Sequence, residues 1–185
     1  MDFIMIIKTR LPHLLTISLA LFMARPALAI DSVSLELGAA DQAQIARVGL
    51  QSQWQSQWWQ SNGTHIGGYW DMTLAQWRGM RFRGQNDVRQ NITDIGITPV
   101  LRFQADNKKG LFAEVGIGAH LLSDLYDNDG RQFSTRFQFG DHIGIGYVMQ
   151  NRLTVSLSVQ HFSNARIKQP NPGILFGVAK VAYAF

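Results

Sequence analysis

Residues 152–173 read RLTVSLSVQHFSNARIKQPNPG. Leu153, Val155, Leu157 and Val159 alternate with Thr154, Ser156, Ser158 and Gln160. A period of two gives a β-strand with one apolar and one polar face, where a helix would repeat every three to four residues. His161 and Ser163 then continue the apolar parity. Polar groups are costly on a face that meets a core or lipid. What that face meets is decided by the rest of the chain.

Seven other stretches alternate in the same way. Val33, Leu35 and Leu37 alternate with Ser32, Ser34 and Glu36, and Ala46, Val48 and Leu50 with Arg47 and Gln51. Ile66, Trp70, Met72 and Leu74 alternate with Tyr69, Asp71 and Thr73, and Ile95, Ile97, Leu101 and Phe103 with Asp94, Thr98, Arg102 and Gln104. Leu111, Val115, Ile117 and Leu121 alternate with Glu114, Gly116, Gly118 and His120, and Phe137, Phe139, Ile143, Ile145 and Tyr147 with Arg136, Gln138, His142 and Gly146. The last run, from about Ile174, carries Leu175, Val181, Tyr183 and Phe185 on one parity and Lys180 on the other. Eight strands are an even number, and several exceed the length that a tilted strand needs to cross a bilayer. The expected fold is all-β: an eight-stranded antiparallel transmembrane β-barrel of the bacterial outer membrane. The lumen is expected to hold Glu36, Arg47, Asp71, Asp94, Arg102, Glu114, Arg136 and Lys180, paired with one another. Glycines at 116, 118, 144 and 146 suit a narrow interior filled by side chains.

The start of the chain reads as a leader. Lys8 and Arg10 precede an apolar run from Leu14 to Ala24, too short for a membrane helix, and Ala27-Leu28-Ala29 is a cleavage signature. The expected division is a signal peptide at 1–29 and one barrel domain at 30–185. The leader takes three basic residues and one acidic residue from a net charge of +4, leaving about +2, so nothing demands nucleic acid. There is no cysteine, hence no thiolate chemistry. No carboxylate-rich loop or histidine pair has metal-ligand spacing, so neither metal nor cofactor is expected. His120 and His142 have luminal parity and read as network members, and His65 lies near a turn.

Orientation follows from the connections. ADNKKG after the fourth strand and MQN after the sixth are short, and those after strands three, five and seven are long and polar. Short turns belong in the periplasm and long loops outside. The stretch QSQWWQSNGT after strand two is too long for this rule and reads as strand ends flanked by interfacial Trp54, Trp58 and Trp59. His161 and Ser163 thus lie at the outer end of strand seven, facing the outer leaflet about 7 Å apart at Cα. A histidine beside a serine is the minimum for an activated nucleophile. The spacing alone also fits a polar strand rim.

HFSNA followed by PNPG resembles the signature of the outer-membrane lipid A 3-O-deacylases, the PagL family. The likeness is densest over His161–Gly173, while the leader, strand count and terminal Phe185 agree with it over the mature chain. The resemblance implies Ser163 as nucleophile, His161 as general base and oxyanion donors at Asn164 and Ala165. It implies lipopolysaccharide lipid A as substrate, cleaved at an ester-linked 3-hydroxyacyl chain in the outer leaflet. Separately, Tyr183-Ala184-Phe185 resembles the C-terminal signature by which outer-membrane barrels are recognised for assembly, which implies contact with the barrel-assembly machinery. The sequence departs from the family pattern at Leu175, where a glutamate that orients the histidine is expected. A loop centred near Lys168 sets Leu175 opposite His161 on the lipid face. Either another acid serves, or the histidine works as a dyad, or the enzyme is weak or inactive. A hairpin centred at Gln150 sets Phe139 opposite His161 and Asp141 opposite Val159, so that Asp141, with lipid-facing parity, is the diagonal neighbour of His161 and the candidate replacement acid. A bulge or a slip of one residue would instead turn Asp141 to the lumen.

Arg78, Arg81, Arg83 and Arg89 share one loop region with Asp87, and Arg131, Arg166 and Lys168 lie in neighbouring outer loops. Arginine suits bidentate contact with the substrate's phosphates. A solvated loop accounts for any one of them equally well. Two other function classes stay open: a non-enzymatic structural or adhesive barrel, and a lipid-modifying acyltransferase that draws a chain into its lumen, against which the luminal charges argue. The sequence leaves open whether the barrel works as a homodimer.

Overall fold

A computed structural model describes residues 29–185. The expected leader, except Ala29, lies outside the described residues. Eight long strands build the barrel: β1 Ser32–Ala40, β2 Ala43–Gln53, β3 Thr64–Gly79, β4 Gln90–Ala105, β5 Gly110–Leu122, β6 Phe137–Val148, β7 Leu153–Ser163 and β8 Ile174–Ala184. Every neighbouring pair is antiparallel, and β1 pairs with β8, which closes the ring and leaves no long edge. Among the described residues no helix is long and apolar enough to cross a membrane. The crossing is made by strands, whose backbone groups pair between neighbours with an interruption at Thr98-Pro99 of β4.

The alternation sorts residues as expected. Leu35, Leu74, Ile95, Ile117, Ile143, Leu157 and Val181 are exposed on the outer wall, while Glu36, Arg47, Asp71, Asp94, Arg102, Glu114 and Lys180 are buried inside. They pair across the lumen: Arg47 with Glu36 at 2.9 Å, Lys180 with Glu36 at 3.0 Å and Asp71 at 2.8 Å, and Arg102 with Glu114 at 2.7 Å. His120 Nδ1 meets Asp94 at 3.1 Å, and His65 bonds Asp106 at 3.0 Å. The glycines make room: a Cβ on Gly118 would collide with Thr98 Oγ1. Arg136 departs from expectation. It precedes β6, is exposed, and donates from Nε to the Leu122 carbonyl at 2.8 Å.

Two features of the barrel ends go beyond the sequence reading. At the periplasmic end Trp58–Ser61 pairs back on the start of β3 through a two-residue turn, Asn62-Gly63, with φ of 52° and 76°. Positive φ at both central residues is the hairpin geometry that Asn-Gly favours, so the long stretch after strand two is a small hairpin. At the outer end the lumen turns apolar. Trp77, Phe162 and Phe176 are fully buried and join Tyr126 and Phe133 from the β5–β6 loop in one plug. Phe162 stacks edge-on to Trp77 at 4.7 Å and to His120 at 5.0 Å.

Candidate active site

The strand that carries the site is pinned from inside. Phe162 lies between His161 and Ser163 and points into the plug, so the two flanking side chains must leave on the outer face. After Ser163 the chain turns inward. Asn164 is fully buried, with its amide Nδ2 donating to the Lys168 carbonyl at 2.8 Å and to the Ser134 and Thr135 hydroxyls at 3.0 and 3.2 Å. Its backbone N–H donates to Asn171 Oδ1 at 3.0 Å. Ala165 and Arg166 follow in the left-handed region, φ 51° and 64°. That bend brings the Ala165 N–H back onto Ser163 Oγ, 3.4 Å away.

The two residues expected at the oxyanion thus differ in availability. The Ala165 N–H faces the serine hydroxyl, whereas the Asn164 donors are committed to the β5–β6 and β7–β8 loops. Among the described residues no hydrogen bond joins His161 to Ser163. Such contacts are often loose without substrate and tighten in the complex.

His161 sits between β6 and β8. Opposite it on β8 is Leu175, as expected from the loop length. Opposite it on β6 is Asp141, where the sequence reading expected Phe139; Phe139 instead faces Ser163. The β6–β7 hairpin is centred one residue later than Gln150, which moves every facing pair by two and preserves parity. Asp141 is therefore on the outer face, as expected, and closer to His161 than a diagonal neighbour: its Oδ1 lies 3.3 Å from His161 Nδ1.

The other ring nitrogen lies against Gly173, where a Cβ would be 2.5 Å from His161 Nε2. Gly173 also has φ +65°, in the region that disfavours side chains, and its carbonyl accepts from Arg131 Nη1 at 3.3 Å. Gly173→Ala is expected to lower kcat about a hundredfold, the scale of a displacement of about 1 Å at a reacting group. The imidazole is the more movable partner, and moving Nε2 from its place against Gly173 shifts the ring that a serine–histidine mechanism would need. Initial rates with purified substrate, alongside a heat-modifiability gel for folding, check this. An unchanged rate in a folded barrel would mean that the imidazole tolerates the shift.

The basic residues separate into two groups. Arg81 pairs with Asp129 at 2.6 Å, and Arg83 lies 3.8 Å from Asp127 and over the Phe82 ring. Those carboxylates come from the β5–β6 loop, so the β3–β4 loop is less cationic than its own sequence suggests. Arg78 is exposed on the outer face of β3, and Arg166 and Lys168 are exposed in the β7–β8 loop beside Ser163. These three make no ion pair among the described residues. Asn171 and Phe162 escaped the sequence reading as site residues, and Arg131 and Gly173 were named there without these contacts. Only Phe162, with inward parity between two polar outward residues, carried a local signal.

A family model described as lipid A 3-O-deacylase (PagL) matches residues 44–184. A lipid A deacylase PagL of Pseudomonas aeruginosa is 33% identical over 143 residues, 77% of this chain and 79% of the relative. One of Bordetella bronchiseptica is 30% identical over 175 residues, 93% of this chain and 92% of the relative. The crystal structure of the outer membrane enzyme PagL superposes with a TM-score of 0.72 at 28% identity, covering 83% of this chain and 99% of that one. Neisserial surface protein A, at TM-score 0.53 and 10% identity over 83% of this chain and 94% of its own, is similar in fold alone.

Proposed function

This chain belongs to the lipid A 3-O-deacylase (PagL) family, and we propose that it is a serine–histidine esterase working on lipid A from the outer leaflet. As in that family, it is an outer-membrane β-barrel that removes the 3-O-linked acyl chain. Ser163 Oγ attacks the ester carbonyl carbon while His161 Nε2 takes the hydroxyl proton. The negative oxygen that forms is met by the Ala165 N–H, already beside Oγ, and Asn164 keeps that turn in shape. Collapse breaks the acyl–oxygen bond, and His161 returns the proton to the departing sugar hydroxyl. A water activated by the same histidine then releases the hydroxy fatty acid and restores Ser163. Of the cations expected at phosphate, Arg166, Lys168 and Arg78 are free of ion pairs among the described residues, with Arg81 and Arg83 tied to carboxylates. The first 29 residues act as the export leader, and Phe185 as the mark read by the assembly machinery.

The observation that carries this reading is the direction of the site. His161 and Ser163 open on the lipid side of β7, where an acyl ester of a membrane lipid hangs. The centre and the outer end of the lumen offer no alternative. Its polar centre holds a cavity of about 20 Å³ among Glu36, Arg47, Asp71 and Lys180, and the outer end is plugged. That is space for about one water, not an acyl chain. Mass spectrometry of lipid A from cells expressing the chain tests the proposal. Loss of one 3-hydroxyacyl chain is expected. An unchanged spectrum from a folded barrel would favour a non-enzymatic role, and a gained chain an acyltransferase.

A further inference from the structure

The outer wall of the barrel is almost free of charge. On the outward parity β5 carries Leu111, Ala113, Val115, Ile117, Ala119 and Leu121, and β8 carries Leu175, Gly177, Ala179, Val181 and Tyr183. Across all eight described strands the glutamates and the other aspartates point inward: Glu36, Asp71, Asp94 and Glu114 are buried in the lumen. Asp141 is the one carboxylate on the lipid side, and it faces the one imidazole there, on the neighbouring strand. A carboxylate at membrane depth is expensive and persists where it has a partner and a use.

We propose that Asp141 is the positioning residue for His161, supplied from β6, while the β8 neighbour Leu175 contributes no acid. This rests on the esterase reading above and deepens it. The proposal stands on three placements. The facing pair His161↔Asp141 brings the two Cβ atoms to about 5 Å, the usual cross-strand distance. His161 Nδ1 lies 3.3 Å from Asp141 Oδ1, and both side chains are roughly half exposed. Gly173 leaves room at the opposite nitrogen. With Nδ1–H donating to Asp141, the lone pair on Nε2 is free to accept the Ser163 proton, and the carboxylate steadies the imidazolium that results. The partner groups nearest on either side are apolar: Ile117 opposite Asp141 on β5, and Leu175 opposite His161 on β8. No described carboxylate on the outer face competes for the ring.

Asp141→Asn keeps shape and volume and removes the charge. It is expected to lower kcat about 10²- to 10⁴-fold with KM nearly unchanged, since the interaction matters only once the proton moves. A carboxylate supplied again then recovers at least about tenfold of the loss, either as Asp141→Glu or as Leu175→Glu placed in the Asp141→Asn background, where a glutamate reaches the ring from β8. A structural role of Asp141 would not be restored from another strand. A kcat for Asp141→Asn within about threefold of wild type overturns the proposal, as does a loss that neither carboxylate recovers. Wild type and Ser163→Ala run in the same assay keep the two readings apart. If wild type releases no acyl chain, the esterase reading fails. If Ser163→Ala is silent while Asp141→Asn is fully active, only the positioning role fails.

Discussion

Ser163→Ala is expected to abolish acyl release, with kcat falling at least about a thousandfold, the scale set by nucleophile removal in other hydrolases. The nucleophile is the one group whose removal ends the covalent route, and only the Ala165 N–H and substrate binding remain to favour attack by water. The barrel should fold as before. Ser163 is the last residue of β7, is partly buried, and receives one long hydrogen bond, 3.4 Å from the Ala165 N–H. His161→Ala should give a loss of the same order, because the hydroxyl then keeps its proton. The two do not add: the double variant should be about as slow as either single one, as expected for residues acting as a unit. Rates of fatty-acid release from purified lipid A, with heat-modifiable migration to report folding, decide it. A Ser163→Ala barrel that cleaves at more than about a tenth of the wild-type rate would remove Ser163 from the chemistry.

The faces of this barrel were legible because parity is a local property. Alternation in β7 put His161 and Ser163 on the lipid wall without knowledge of any neighbour, and the same count turned Asp141 outward. The facing partner was not local. It depended on the conformation of the β6–β7 turn, where Met149 N–H bonds the Leu153 carbonyl at 2.8 Å and Arg152 has φ 70°. A shift of the turn centre by one residue keeps every face and changes every partner, which is why Asp141 was expected beside His161 on the diagonal and lies directly opposite. Arg136 was misplaced for a related reason: periodicity continues past the point where pairing stops, and β6 begins at Phe137. The apolar plug was hidden because Trp77, Phe162 and Phe176 share the inward parity of polar or charged residues lower in the same strands, Asp71, Gln160 and Lys180 among them. The charge balance of the outer loops was hidden because Asp127 and Asp129 reach Arg83 and Arg81 from far along the chain.

The largest stability effect is expected at Lys180, which the sequence marked as luminal and the fold places at the centre of the polar network. Its ammonium lies 2.8 Å from Asp71 and 3.0 Å from Glu36, is 5.8 Å from the Tyr69 ring, and is nearly buried. Glu36 would keep Arg47 at 2.9 Å if the lysine were lost, but Asp71 has no second cation among the described residues. Lys180→Met retains most of the volume and leaves that carboxylate buried and uncompensated. Removing one partner of a buried pair costs about 3–5 kcal/mol, because the remaining charge has lost both water and counter-ion. Most of that cost belongs to the stranded charge and not to the lost attraction. Lys180→Met combined with Asp71→Asn should therefore recover a large part of it, although the double variant has one ionic contact fewer than wild type. Urea titrations of the folded fraction in detergent micelles, at one pH well above the carboxylate range, measure both. Equal midpoints for Lys180→Met and wild type would mean that water reaches Asp71 through the lumen. A double variant less stable than Lys180→Met would mean that Asp71 contributes through its shape and hydrogen bonds, with its charge no burden to the fold.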